Sequence, residues 1–252
     1  MKTSHSSKRS TRRLIVVVSL ALTLFLAVPA AAHAITVYAA ASLREAFPKI
    51  APAQTYNFAG SDDLQLQIER GAPADVFASA APKQAQALFR AGLCTRPVTF
   101  ATNTVVLLVP NGNPGHIKSV YNLRRGNRTL AVGTPSVPIG AYTRELLARM
   151  RLSSILTTNT ISLEKNVAGI TSKVALGGVD GGFAYVTDGR IVADRVEVIR
   201  LPRWAQPPVR YQVCIVRRDG VDTAVAKKFI NRLVGKRGRA VLKSGGFGLP
   251  PR

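Results

Sequence analysis

The chain has 252 residues and is strongly basic, with 35 Lys and Arg against 13 Asp and Glu and a formal charge of +22. Its basic residues are scattered, with no basic helix and no aromatic interleaving for base stacking, which excludes a nucleic-acid partner in favour of a solvated basic surface facing anionic lipid or cell wall. Two cysteines and three histidines are too few for a disulfide framework or a Cys/His metal cluster.

The first 34 residues carry Lys2, Lys8, Arg9, Arg12 and Arg13, then an uncharged run from Leu14 to Ala32, and close on Ala32-His33-Ala34. A basic start, an apolar middle and a small-x-small end describe a secretory signal peptide over residues 1–34. A retained membrane anchor is the alternative, since the run is just long enough to span a bilayer. No basic stop-transfer cluster follows it, so cleavage is the expectation. The junction has no Cys for lipid attachment, and Thr11-Arg12-Arg13 matches twin-arginine export poorly. The remaining 218 residues keep all 13 acidic and 30 basic residues, a balance of +17, and only His116 among the histidines. That length suits two lobes of about 100 residues each.

Ile35 to Ala40 reads as a buried strand and Ser42 to Phe47 as an N-capped helix start. Tyr56 to Ala59 leads through Gly60 into a helix from Ser61 to Arg70. Ala74 to Ala78 is a short strand, and a helix from Lys83 to Ala91 is closed by Gly92. Strands follow at Thr104–Val109 and Thr129–Val132. Val137-Pro138-Ile139-Gly140 opens a helix running to about Met150. Val167–Leu176 is helical, Gly182–Val186 and Tyr211–Val216 are strands, and Ala224–Leu233 is a helix. Alternating strands and helices with fully apolar strands predict an α/β fold with parallel sheets covered on both faces. Cys94 and Cys214 either form one bridge or pack as two small hydrophobes.

Ligands of such folds sit where strands end and helices begin. Three turns place a small residue or a hydroxyl there: Ala41-Ser42, Gly60-Ser61 and Ile139-Gly140. A helix start offers unpaired N–H groups and a partial positive charge, so each turn can receive an anion. Each serine alone is equally an ordinary N-cap. Several such turns converging would form a dipole-lined oxyanion site.

Three blocks at the start are specific: Ala39-Ala40-Ala41-Ser42-Leu43, Phe58-Ala59-Gly60-Ser61, and Gln67-Ile68-Glu69-Arg70-Gly71-Ala72-Pro73-Ala74-Asp75-Val76-Phe77-Ala78. With Asn103, Val137-Pro138-x-Gly140-x-Tyr142, Asn166-Val167, Asp180-x-Gly182-Phe183-Ala184-Tyr185 and Pro208-x-Arg210-Tyr211 downstream, the chain resembles the periplasmic molybdate-binding proteins of ABC transporters. The resemblance implies a class II periplasmic-binding-protein fold: two α/β lobes, 35–108 plus 209–252 and 109–208, with a ligand cleft between them. It implies an exported, periplasmic or extracytoplasmic monomer that is not an enzyme, has no cofactor, and hands molybdate or tungstate to a membrane permease. The ligand contacts it implies are Ser42 and Ser61 by hydroxyl and N–H, Ile139 and Val167 by N–H, and the Tyr185 phenol. These touch the oxyanion and do not ligate the metal directly.

All five are neutral donors. A site without acceptors penalises a protonated anion, whose own O–H lacks a partner, and so favours molybdate, tungstate or sulfate over hydrogen phosphate. Ile139 stands where the family usually has a smaller residue, and Asp62 follows Ser61 where a neutral residue is usual; a carboxylate there repels a dianion unless it points to solvent. The same fold binding sulfate, thiosulfate or phosphate is the alternative. A serine hydrolase using Ser42 or Ser61 is remote, because His116 sits in a Gly/Pro/Asn loop and neither serine lies in an elbow motif.

Overall fold

The computed structural model describes residues 1, 2 and 34–250. Nearly all of the expected signal peptide therefore lies outside the described residues. Among those described, no helix is long and apolar enough to cross a membrane. The chain divides into the units Met1–Ala32 and His33–Arg252.

Within the second unit the strands are β1 (Thr36–Ala40), β2 (Thr55–Ala59), β3 (Val76–Ser79), β4 (Val98–Thr102), β5 (Val105–Pro110), β6 (Thr129–Gly133), β7 (Thr160–Glu164), β8 (Gly181–Tyr185), β9 (Val196–Arg200) and β10 (Arg210–Ile215). The helices are α1 (Phe47–Ile50), α2 (Ser61–Glu69), α3 (Pro82–Arg90), α4 (Pro138–Arg149), α5 (Ile155–Thr158), α6 (Val167–Ala175), α7 (Val186–Ile191), α8 (Thr223–Val234) and α9 (Lys236–Ser244). Two five-stranded sheets result, ordered β2-β1-β3-β10-β4 and β7-β6-β8-β5-β9. The strands β3, β5 and β8 are buried along their whole length, as is β1 after Thr36. They read as unbroken apolar runs because helices cover both faces of each sheet.

The sheets are mixed, not parallel throughout. β10 runs antiparallel to β3 and β4, and β5 antiparallel to β8 and β9. Both are the strands by which the chain enters a sheet from the other lobe, so no right-handed crossover fixes their direction. The same crossing moves the first boundary. β5 belongs to the second sheet, so the chain leaves the first lobe at Asn103-Thr104 and not at the expected 108/109. It returns between β9 and β10 through a 3-10 turn at Arg203–Ala205. At the crossings, the Gln206 amide donates to Val105 O (2.9 Å) and accepts from Val105 N–H (3.0 Å). An edge-on contact between Tyr185 and Tyr211, centroids 6.0 Å apart, joins the two lobes beside them.

Most predicted elements stand within two residues of their expected places. The helix expected from Ser42 does not. Ala41–Leu43 is a single 3-10 turn, and α1 begins only at Phe47 with Pro48 in its first turn. The short polar strands β4, β7 and β9 and the helices α7 and α9 carry too few periodic apolar positions to be read from sequence alone. α9 also overturns the expectation of no basic helix: with α8 it forms a cationic hairpin.

Candidate functional site

Five strand-to-helix turns meet between the lobes. From the first lobe come the ends of β1 and β2, with Ala40-Ala41 and Gly60-Ser61. From the second come the starts of α4 and α6 and the last residue of β8, Tyr185. Together they enclose a cavity of about 20 Å³ lined by Ala41, Gly60, Ser61, Ile139, Val167 and Tyr185 among others. None of its lining residues carries a formal charge.

The local sequence explains why donors point inward. α2, α4 and α6 start at this cavity, and first-turn N–H groups have no acceptor within their own helix. Gly60, Val137 and Asn166 take extended backbone geometry before them. Pro138 opens α4 without an N–H, so Ile139 supplies that helix's first donor. The Asn166 side chain accepts from Gly169 N–H at 3.1 Å, which satisfies the third residue of α6 and leaves Val167 N–H at the mouth.

Two hydroxyls join them. Ser61 Oγ accepts from Ala80 N–H at 3.1 Å, so its own proton is free to be donated. Tyr185, 1% exposed, has a buried hydroxyl without any hydrogen-bond partner among the described residues. Burial holds its phenol well above the ordinary tyrosine range, so it is a proton donor at neutral pH. An unpaired buried hydroxyl is costly, and in native proteins it calls for an explanation.

Ser42 is brought near but not into this cavity. It is buried, its Oγ lies 2.9 Å from Tyr211 Oη, and it faces a wider cleft of about 280 Å³ shared with Glu45, Lys49, Thr187 and Arg190. Asn103 Nδ2 donates both to Tyr211 Oη (3.2 Å) and to Thr187 Oγ1 (2.9 Å), tying the crossing to both lobes. The bonds that Asn103 and Tyr211 make at the crossing were hidden in the sequence, although both stand in the motifs that carry the resemblance. Asp62 is part-buried: one of its carboxylate oxygens is buried without a partner among the described residues, close to Gly60, though Asp62 is not among the residues that line the cavity.

Two further features bear on the cleft. A Cβ on Gly60 would collide with the Lys165 carbonyl oxygen across the cleft, and Gln84 Nε2 reaches Ser136 O at 3.4 Å between the same lobes. Asp188, fully buried in the first turn of α7, accepts from Tyr185 N–H at 3.2 Å; burial pushes its carboxyl up to about 7, against the lowering effect of that bond and of Arg44. Cys94 and Cys214 are buried free thiols within one small apolar cluster. A hydrogen bond to Cys94, and then burial, raise the Cys214 thiol far above its usual value.

Comparisons with known proteins agree with this architecture. The family model for bacterial extracellular solute-binding proteins matches residues 35–248. The molybdate-binding protein ModA of Mycobacterium tuberculosis is 37% identical over 229 residues, which is 87% of this chain and 86% of that one. The substrate-binding domain of a putative molybdenum ABC transporter from Clostridium difficile superposes with a TM-score of 0.63 at 29% identity, over 86% of this chain and 99% of that chain. The periplasmic molybdate-binding protein of Azotobacter vinelandii superposes with a TM-score of 0.75 at 24% identity, over 86% of this chain and all of that one. A sheet order and a cleft of this kind, over nearly the full chain past the first 34 residues, place the protein in the family of bacterial extracellular solute-binding proteins.

Proposed function

We propose that this chain captures molybdate or tungstate in the extracytoplasmic space and delivers it to the membrane permease of an ABC importer. The observation that carries the reading is the buried, unpartnered Tyr185 hydroxyl, aimed into a cavity lined by helix N-termini and free of charged side chains. Such a set donates and does not accept, which suits a fully deprotonated tetrahedral dianion. Ser61 gives its hydroxyl and N–H, Ile139 and Val167 their N–H groups, and Tyr185 its phenol. The Ser42 and Tyr211 hydroxyls share a hydrogen bond that either can donate, and Asn103 donates to Tyr211; with Tyr211 as the donor, the Ser42 proton is left for an anion. The names of the mycobacterial and Azotobacter relatives point to the same ligand.

Closure follows from where the donors sit. The first lobe brings Ser61 and the second brings Ile139, Val167 and Tyr185, so the anion gains its full set only when the lobes meet. Ligand thereby shifts the population toward the closed form that a permease can recognise. Titration calorimetry of the chain from Ile35 onward, with molybdate, tungstate, sulfate and phosphate in turn, tests the reading. Tight binding of the first two and far weaker binding of the others is expected. Preference for sulfate or phosphate would overturn the ligand while keeping the fold, and would implicate Ile139 and Asp62.

A further inference from the structure

α8 and α9, joined by Gly235 alone, form a hairpin on the first lobe in which every formal charge is positive. Lys227, Lys228, Arg232, Lys236, Arg237 and Lys243 are all exposed, and none forms an ion pair among the described residues. Arg239 turns inward to the Pro250 carbonyl. The nearest acid in sequence, Asp222, is spent capping α8, accepting from the Ala224 and Val225 N–H groups at 3.0 Å. The pattern is geometric. Ala226, Phe229 and Leu233 of α8, and Gly238 and Leu242 of α9, face the core, so the helical period sends the cations to the opposite side. Like charges crowded this way repel one another and add nothing to folding.

We propose that this hairpin is a docking surface for the anionic phospholipid headgroups of the membrane in which the transporter sits. The surface holds no large exposed apolar side chain. A protein–protein interface needs an apolar centre, whereas a layer of headgroup phosphates asks only for a broad cationic face. α8 alone spans about 18 Å, at 1.5 Å per residue, so several headgroups can be engaged at once. Each basic residue held near an anionic surface strengthens attachment by about fivefold, and salt screens the effect. The hold is therefore reversible, and it would keep a soluble binder in a thin layer beside its importer.

Sedimentation of the exported chain with phosphatidylcholine vesicles, with and without phosphatidylglycerol, tests this. Binding to the phosphatidylglycerol vesicles alone, abolished by high salt, is expected. The triple variant Lys228→Glu, Lys236→Glu, Arg237→Glu should lose at least about tenfold of that binding. The same number of reversals on the second lobe, Lys118→Glu, Arg124→Glu, Arg125→Glu, should leave it within about twofold. Circular dichroism and anion titration of the hairpin variant report whether its fold and cleft survive. Equal losses in the two variants would show that net charge and not the hairpin is responsible, and would overturn the proposal. So would failure of the unaltered chain to bind anionic vesicles, the result expected if an acidic protein were the partner.

Discussion

Replacing Tyr185 by Phe deletes one oxygen and leaves the ring where it packs, edge-on to Tyr211 with centroids 6.0 Å apart. Two effects of opposite sign follow. In the arrangement described here the hydroxyl is buried without a partner, so its removal relieves about 1–3 kcal/mol of desolvation cost in the ligand-free protein. The melting temperature without anion should therefore hold steady or rise; at about 2–4 °C per kcal/mol for a domain of this size, a gain of several degrees is within reach. With anion bound, the same change removes a donor to a charged acceptor, which contributes about 1.5–3 kcal/mol. Affinity for molybdate should fall between about tenfold and 150-fold. Calorimetric titration and thermal melts of both proteins, with and without saturating anion, measure the two effects separately. Affinity within about twofold of the unaltered chain would refute the site, and a clear fall in the ligand-free melting temperature would show that the hydroxyl has a partner within the protein.

Gly60→Ala places a methyl group against the Lys165 carbonyl across the cleft. It should weaken anion binding by about tenfold or more by holding the two lobes apart; an unaltered titration would show that these atoms do not meet when the anion is bound. Asp188 keeps its proton to about pH 7 in the folded chain and loses it near 3.8 when unfolded. The raised value means that the contribution of Asp188 to stability is present below about pH 4 and is lost, by an amount of order 4 kcal/mol, as pH rises from about 4 to 7, and Asp188→Asn should remove that slope in thermal melts. Cys94 and Cys214 lie in one buried cluster and should be bridged in chain recovered after export, each giving its hydrogen to a cellular disulfide oxidant. Intact-mass measurement after alkylation under denaturant, without reductant, checks this, and two modified thiols in exported chain would contradict it.

How much of this was legible in the sequence depended on whether a feature is local. Gly60-Ser61 and Val137-Pro138-Ile139 announce helix starts through residues a few positions apart, and the structure puts those starts at the cavity. Tyr185 was reached through the resemblance, because nothing in Gly181–Tyr185 by itself says that the strand ends with its hydroxyl facing two helices of its own lobe and one of the other. The lobe crossing was misplaced because Val105–Pro110 is an apolar run whose sheet is decided by partners 74 to 94 residues away, Phe183 and Ile199 among them. Ser42 is the most instructive case. Its position after three alanines reads as a ligand-binding helix start, yet the chain makes only one 3-10 turn there, and the hydroxyl is held by Tyr211, 169 residues later. That long-range bond links the loop after β1 to the segment where the chain crosses between the lobes, through Asn103 and Thr187. A serine that sequence patterning marks as a simple anion contact is thus also bonded into the crossing between the lobes, and loss of its hydroxyl should disturb lobe geometry as well as anion contact.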